Sequence, residues 1–474
     1  MDNKNRFYDL FDKLSLGAIS LFALECVLGS SGRWLTFGSL SIRILLFLIC
    51  FILTLPAIFR NLRNLIRNPH VILAVLFGVC LAVGAVLGWQ RGNKLSFIKN
   101  DISSFLTLAL LPGFLATISS PKRASGITNI IYWGSVVLAS ITVVLHFVFS
   151  LPTDWQINAI NIWLNRHSMG GLSTMATGMQ RIYMKSQIFL QIGIVLGIGK
   201  IWSKKGYVRW LLFLAEGILV FGSLLTYTRG FWLGLAFSAL TLLILCPQKW
   251  KNYLSTVGIT LALVIGLFLL SALAYGKPVA TYELINRFDP DLISGAVFLP
   301  GTTDPNYTNP SSPTELPTDP TDPTDPNADL DAVMIRRKTL ELLGQQINKH
   351  PLFGSGLGTN LDEIRTDGKV EYMYLDIFMK IGLVGFILFF AVFFLPLYPL
   401  LKHRLQWFAQ HKTVAWDSIQ MQNTGFIAAY IGVAITSYLN PFMINPMGIL
   451  LVMLLTATGQ QEDKLTTSMQ GETL

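Results

Sequence analysis

Long apolar runs separated by short polar connections occupy most of the chain before residue 276 and again after residue 371. A helix needs about 20 apolar residues to cross roughly 30 Å of hydrocarbon, and most of these runs are close to that length. The pattern predicts an all-α polytopic membrane protein. Its predicted helices, about twelve in number, lie at about 14–31, 36–59, 71–89, 102–120, 127–150, 185–202, 210–228, 230–247, 253–275, 372–400, 423–440 and 444–459.

One long polar interval, at about 276–371, interrupts the apolar pattern. Its part at 302–328 is rich in Pro, Thr and Asp, a composition too polar to be buried, and we interpret it as a solvated insertion. Its part at 331–349 has helical spacing, because Val333, Leu340, Leu343 and Ile347 can share one face. The predicted divisions of the chain are 1–275 with a second long connection at about 151–185, the loop at 276–371, helices at 372–460, and a tail at 461–474.

Lys and Arg cluster in the short connections, and such clusters mark the cytoplasmic side of a membrane protein. With the N-terminus inside, the clusters at 60–67, 204–209 and 402–412 face the cytoplasm. Both termini are then cytoplasmic, and both long connections face outward. The connection at 90–101 is the exception among the short loops, since it carries three basic residues on the outward side.

The composition agrees with a membrane protein and argues against a nucleic-acid-binding one. Of 474 residues, 52% are hydrophobic and only 13% are charged, whereas soluble domains have about a quarter charged residues. The net charge of +9 comes from clusters between apolar runs, which is typical of topology signals rather than a nucleic-acid surface. The four cysteines lie in or beside apolar runs without metal-ligand spacing, so we expect buried thiols, no disulfide and no metal site.

The arginines predicted on the outward side, where the charge bias discourages them, include Arg181, Arg229, Arg287 and Arg336. Arg229 lies between two predicted helices at their outer ends, and Arg336 lies in the predicted loop helix. Each can reach lipid phosphate on its own. Arg229 and Arg336 together favour a shared anionic substrate, because guanidinium binds phosphate oxygens bidentately and neutralises a phosphate leaving group.

Glu371 lies at the start of the tenth predicted helix, close to the outward arginines. A carboxylate there can act as a general base toward a sugar hydroxyl, or it can simply stabilise the first turn of the helix. Three further titratable residues lie inside predicted membrane helices: Glu25, Glu216 and His146. They can mark an ion path or pair internally.

The glycines at 354, 356 and 358 do not form a nucleotide-binding motif. Their spacing is not GxGxxG, no strand precedes them, and no Lys-Ser or Lys-Thr follows. We interpret this segment as a tight structural turn.

Three motifs resemble those of the O-antigen ligase and polymerase superfamily. Thr228-Arg-Gly-Phe-Trp-Leu-Gly is similar to the family's Ser-Arg-Gly-x-Trp-Leu-Gly signature. Arg336, fifteen residues before Pro351-Leu-Phe-Gly-Ser-Gly-Leu-Gly, resembles the family's loop arginine and its Pro-x-x-Gly-x-Gly segment. Tyr374-Leu, followed by Gly382-Leu-Val-Gly, resembles the helix after that loop. Order and spacing agree over about 183–385.

This resemblance implies a GT-C-like fold and metal-independent, inverting glycosyl transfer at the periplasmic face of a bacterial inner membrane, with no cofactor. The implied donor is a glycan on undecaprenyl diphosphate. Polymerases pass it to another lipid-linked repeat unit, whereas ligases pass it to lipid A–core. The resemblance assigns Arg229 and Arg336 to the diphosphate, and we add Arg181 and Arg287 as further candidates. A flippase and a chain-length regulator are the implied partners, besides membrane lipids.

One departure from the family pattern concerns the general base. Ligases usually carry His-Asn at the start of the helix after the loop, and Glu371-Tyr372 occupies that position here, eleven residues before Gly382. This favours an O-antigen or exopolysaccharide polymerase with Glu371 as the base. A ligase with an unusual base and a small-anion transporter of bicarbonate type are the alternatives. The Pro/Thr/Asp insertion has no counterpart in the family pattern.

Overall fold

The structure, a computed structural model, describes residues 3–38, 40–151, 154–175, 177–287, 328–361, 370–410 and 418–471. The predicted insertion at 302–328 lies almost entirely outside these residues. Within the described ranges the chain is largely α-helical. The helices of its first part are α1 (Asn3–Leu28), α2 (Ile42–Arg60), α3 (Leu62–Ile66), α4 (Pro69–Gln90), α5 (Leu95–Phe105), α6 (Leu111–Thr117), α7 (Pro121–Val148), α8 (Asp154–Arg166) and α9 (Ile188–Ser203).

The second part of the chain contains the remaining described helices and the loop helix. They are α10 (Gly206–Leu224), α11 (Arg229–Leu245), α12 (Trp250–Tyr275), α13 (Val279–Asn286), α14 (Ala328–Lys349), α15 (Met373–Phe394), α16 (Leu397–Gln410), α17 (Ser418–Thr436) and α18 (Pro446–Gly471). Helix α14 covers the interval where helical spacing predicts the loop helix. Helix α18 continues into the predicted C-terminal tail.

Two antiparallel hairpins interrupt the helical pattern, and neither was predicted from the sequence. The first pairs β1 (Thr36–Phe37) with β2 (Leu40–Ser41) before α2. The second pairs β3 (Gly170–Thr174) with β4 (Gln180–Met184), in register from Gly170 opposite Met184. The second hairpin, together with α8, fills the connection predicted at 151–185.

Six described helices are long and apolar enough to cross a membrane, namely α2, α4, α7, α10, α12 with the turn before it, and α15. Helices α9 and α11 are apolar but shorter. The all-α membrane class therefore holds for the described part of the chain. About twelve crossings and a GT-C-like arrangement stay predictions.

The predicted helix at 102–120 is wrong as one continuous element. Helix α5 ends at Phe105, a 3-10 turn follows at Leu106–Leu110, and α6 occupies Leu111–Thr117. Pro112 lies in the first turn of α6, where its missing N–H breaks no helical hydrogen bond. The sequence does not show these breaks, because an uninterrupted apolar run indicates a buried or membrane segment but not where a helix ends.

The centre of the bundle is formed by α9, α17 and α18. The residues of α18 from Ile449 to Leu455 are all buried, as expected for a helix that is apolar on every side. Helix α17 packs against α9 and α11. A Cβ added at Gly432 of α17 would lie 2.5 Å from the Gly234 carbonyl oxygen of α11, so this close approach requires glycine.

Two of the titratable residues predicted inside membrane helices pair with protein groups. Glu25 accepts a hydrogen bond of 2.7 Å from Arg43, whose guanidinium also donates to the Ser30 carbonyl. The His146 ring lies 2.8 Å from the Ser271 hydroxyl. Glu25 and His146 thus have polar partners within the protein, and these partners account for most of the buried polar groups that had suggested an ion path.

Candidate functional site

Arg336 and Glu371 are in direct contact. The Arg336 Nε donates to Glu371 Oε2 at 3.1 Å, and their side chains are 43% and 30% exposed. Arg336 is on the N-terminal half of α14, and Glu371 lies just before α15. A cation that suits phosphate and a carboxylate that suits general-base chemistry therefore share one solvent-accessible location.

A small apolar cluster holds α14 against the start of α15. Leu343 of α14 is fully buried against Tyr372 and Met379, and Ile347 packs beside it. The predicted apolar face of α14 is partly wrong, because Leu340 is exposed while Thr339 is buried. The observed face keeps Leu343 and Ile347 and includes Thr339 in place of Leu340.

Tyr372, the residue after Glu371, has a left-handed backbone with φ of +67°. Such a conformation is unfavourable for a bulky residue, by about 1–3 kcal/mol. It is maintained because the Tyr372 side chain is buried and its ring packs edge-to-face on Tyr438, with centroids 5.6 Å apart. Burial also raises the pKa of the Tyr372 hydroxyl. The strained turn directs Glu371 away from the apolar cluster and toward Arg336.

Arg229 occupies the first position of α11, directly after Thr228. The backbone two residues earlier is also left-handed, with φ of +50° at Tyr227. The buried Tyr227 side chain donates from its hydroxyl to the Ala280 carbonyl at 3.1 Å. A helix N-terminus is the positive end of the helix dipole, so an arginine there is unfavourable unless an anion is nearby.

Arg181 on β4 reaches the same turn. Its Nε donates to the Thr226 carbonyl at 2.7 Å, and its Nη2 lies 3.4 Å from the Thr228 hydroxyl. Burial and, to a lesser extent, the positive charge of Arg287 lower the pKa of Arg181 to about 10. Arg181 stays charged at neutral pH. The structure thus gathers Arg181, Arg229 and Arg287 around the turn between α10 and α11.

The two groups of charged residues lie on either side of the end of α17. Tyr438, just beyond α17, contacts Tyr372 on the side of Glu371. Thr436, at the last position of α17, donates to the Gly230 carbonyl at 3.1 Å on the side of Arg229. The turn that ends α17 therefore connects the Arg336–Glu371 pair with the arginines near α11.

The glycine-rich segment after α14 is a structural turn, as the sequence predicts. Gly354, Gly356 and Gly358 all have positive φ, from +75° to +89°. The Ser355 and Gly356 N–H groups donate to carbonyls of α15, at 2.7 and 3.0 Å. A Cβ on Gly356 would lie 2.4 Å from the Gly88 nitrogen at the end of α4. These N–H groups are engaged with protein and not arranged around a phosphate.

Helix α15 is broken where this segment docks. Gly382 has φ of +64° and non-helical geometry inside α15. The N–H groups of Leu383 and Val384 donate instead to the Pro351 and Leu352 carbonyls, at 2.8 and 3.2 Å. The break is therefore filled by backbone from the loop, which satisfies polar groups that a membrane would leave unpaired.

A cluster of charged side chains stabilises the docked segment. The sequence analysis did not predict this cluster. Lys380 contacts Asp376, one turn earlier on α15, and Asp101 on α5, each at 3.0 Å. The second oxygen of Asp101 accepts the Gly358 N–H at 2.7 Å. The spacing of Asp376 and Lys380 in an apolar run was the available signal, since such residues are rare in membrane segments.

The described chain is a helical membrane protein with arginines and one carboxylate grouped at helix ends. Residues 214–390 match the model of the family described as O-Antigen ligase. The match confirms the resemblance to the O-antigen ligase and polymerase superfamily, and it includes Arg229, Arg336 and Glu371. It supports a glycosyltransferase-like membrane enzyme with lipid-linked oligosaccharide substrates, and it applies equally to ligases and polymerases. No curated protein shows significant similarity to the chain.

Proposed function

We propose that the protein polymerises lipid-linked oligosaccharide repeat units at the outer face of a bacterial inner membrane. The observation that carries this proposal is the 3.1 Å contact between Arg336 and Glu371, inside the region that matches the family. It combines a phosphate-binding cation with a candidate base at one accessible location. The carboxylate at the place of the ligase histidine favours a polymerase over a ligase.

The proposed reaction is an inverting displacement at the anomeric carbon of the donor. A hydroxyl of the acceptor repeat attacks that carbon, and the bond from the carbon to the diphosphate oxygen breaks. The hydroxyl proton passes to the Glu371 carboxylate. Undecaprenyl diphosphate leaves with its charge neutralised by Arg229 and Arg336, with Arg181 and Arg287 as further diphosphate-binding residues. No step requires a metal or a cofactor.

The ion pair gives this mechanism an order of events. While Arg336 contacts Glu371, the Glu371 oxygen that accepts the Arg336 N–H is not available to an acceptor hydroxyl. A diphosphate competes for Arg336, because charge-assisted bidentate bonds to phosphate are strong. Donor binding then draws Arg336 away from Glu371, and the carboxylate oxygen becomes available to the acceptor hydroxyl.

Purified protein incubated with lipid-linked repeat units tests the reaction. We expect Arg229→Ala and Arg336→Ala to lower elongation by about 10²–10³-fold, because each removes stabilisation of the leaving charge. Glu371→Gln loses about 10²–10⁴-fold through loss of the base. Arg337→Ala is the matched control, since Arg337 is the exposed neighbour of Arg336 on α14. Normal chain-length ladders from both arginine variants at normal membrane levels would refute the mechanism.

A ligase is the second candidate, because the matching family includes ligases. Deletion of the gene separates the two. Loss of a polymerase leaves single repeats on the lipid carrier, whereas loss of a ligase leaves polymerised glycan there.

The proposal also requires the candidate site to face away from the cytoplasm, with both termini inside. Labelling of single cysteines at 337 and near the N-terminus by a membrane-impermeant reagent tests this orientation. Labelling at 337 in intact spheroplasts, with the N-terminal position labelled only after lysis, is the expected result.

A further inference from the structure

An open pocket of about 310 Å³ lies at the far end of α14 from Arg336. Three separated parts of the chain form it: the connection between α4 and α5, the end of α14, and the glycine-rich segment. Its lining includes Arg91, Lys94, His350 and Ser355. Fourteen residues separate Arg336 from His350, which is about 21 Å along a helix. The pocket is therefore distinct from the Arg336–Glu371 pair.

The charge of this pocket is positive. Its lining includes two basic side chains, Arg91 and Lys94, and none of the described residues that line it carries a carboxylate. Asp101, which accepts the N–H of the lining residue Gly358, is itself paired with Lys380 at 3.0 Å. The basic connection at 90–101 was the exception to the charge bias, and a bound anion supplies a reason for it.

Two side chains are arranged for an incoming oxygen-rich group. The Ser355 residue is only 5% exposed, and its hydroxyl has no hydrogen-bond partner among the described residues. A buried hydroxyl without a partner is unfavourable, and a ligand oxygen would satisfy it. Arg91 donates from Nη1 to the Gly354 carbonyl at 2.6 Å, which fixes its guanidinium at the pocket while using one of five N–H groups.

The surroundings of the pocket indicate a membrane surface. Trp89, at the end of α4, is exposed, and exposed tryptophans at helix ends are typical of the headgroup region. A volume of about 310 Å³ is within the usual range for ligand sites. The lining is polar and basic, which suits a headgroup and not an acyl chain.

We propose that this pocket binds the phosphate group of a lipid, with Lys94, Arg91 and Ser355 as its ligands. The phosphate can belong to a membrane phospholipid or to a second prenyl diphosphate carrier, since both present the same chemistry at the membrane surface. The proposal does not depend on the glycosyl transfer reaction. It concerns binding at the opposite end of α14.

Binding of two short-chain probes to the full chain in neutral detergent tests this proposal. The probes are dihexanoyl phosphatidylglycerol and farnesyl diphosphate, with inorganic phosphate as the reference. We expect at least one amphiphile to bind more tightly than inorganic phosphate. Lys94→Gln should weaken that binding about tenfold, and Ser355→Ala several-fold, because each removes one hydrogen bond to the phosphate.

Lys99→Gln is the matched control, because Lys99 is an exposed lysine of the same connection and does not line the pocket. The farnesyl diphosphate arm is repeated in Arg336→Ala protein, so that binding at the candidate catalytic pair does not mask the result. Preference for phosphatidylglycerol identifies a membrane lipid, and preference for farnesyl diphosphate identifies a second carrier. Unchanged binding in Lys94→Gln and Ser355→Ala, an equal loss in Lys99→Gln, or no gain over inorganic phosphate would each overturn the proposal.

Discussion

Replacing Lys380 with Met removes the only cation that the described residues place between Asp101 and Asp376. The side chains of Lys380 and Asp376 are 7% and 8% exposed, and that of Asp101 is 19% exposed. Breaking a buried ion pair from one side leaves an uncompensated charge and typically costs about 3–5 kcal/mol. Because two buried groups and one partly buried carboxylate share this contact, we expect Lys380→Met to reach that range.

Thermal unfolding of the purified protein in detergent, followed by tryptophan fluorescence, measures this cost. The unfolding midpoint of Lys380→Met should fall by about 5 °C or more. Adding Asp101→Asn and Asp376→Asn to the same chain should restore most of the loss, because no buried charge then remains. Lys349→Met is the control, since Lys349 is an exposed lysine in the last turn of α14.

The pattern across these variants decides whether buried charge is the cause. If Lys380→Met unfolds at the wild-type temperature, the reasoning from burial is wrong. If the triple variant is no more stable than Lys380→Met, the loss arises from the lysine's packing and not from its charge.

Three further predictions concern glycine, a second ion pair and a strained turn. Gly356→Ala should lower the unfolding midpoint clearly more than Gly276→Ala, because both have positive φ but only Gly356 faces close backbone; equal shifts would contradict the docking. Arg43→Met should destabilise the protein by about 3–5 kcal/mol, since both partners are buried, and adding Glu25→Gln should recover much of it. Tyr372→Gly should relieve the left-handed strain yet lower elongation, because Glu371 loses its fixed direction; undiminished elongation by folded protein would show that the strain has no role.

The sequence predicts the helical membrane class and the two segments that carry Arg336 and Glu371. It does so because the length of an apolar run and the position of a charged residue can be read locally. Arg336 and Glu371 could each be singled out on those grounds. Their hydrogen bond could not, since it joins residues 35 positions apart and depends on how α14 packs against the start of α15. The ion pair between Lys380 and Asp101 was equally hidden, because these residues are almost 280 positions apart. The helix breaks at 106–110 and Gly382 were also missed, because a uniformly apolar sequence does not show where a helix ends or bends.

The break in α15 has a consequence for how the chain is assembled in the membrane. Leu357 donates its N–H to the Gly84 carbonyl of α4, and Arg91 donates to Gly354, so the segment that fills the break rests on a helix made some 270 residues earlier. Until that contact forms, the polar backbone at Gly382 has no partner and α15 is poorly suited to lipid. The α4–α5 connection must therefore be folded before α15 can adopt its final position. A chain divided in the large loop should assemble only when both halves are made together.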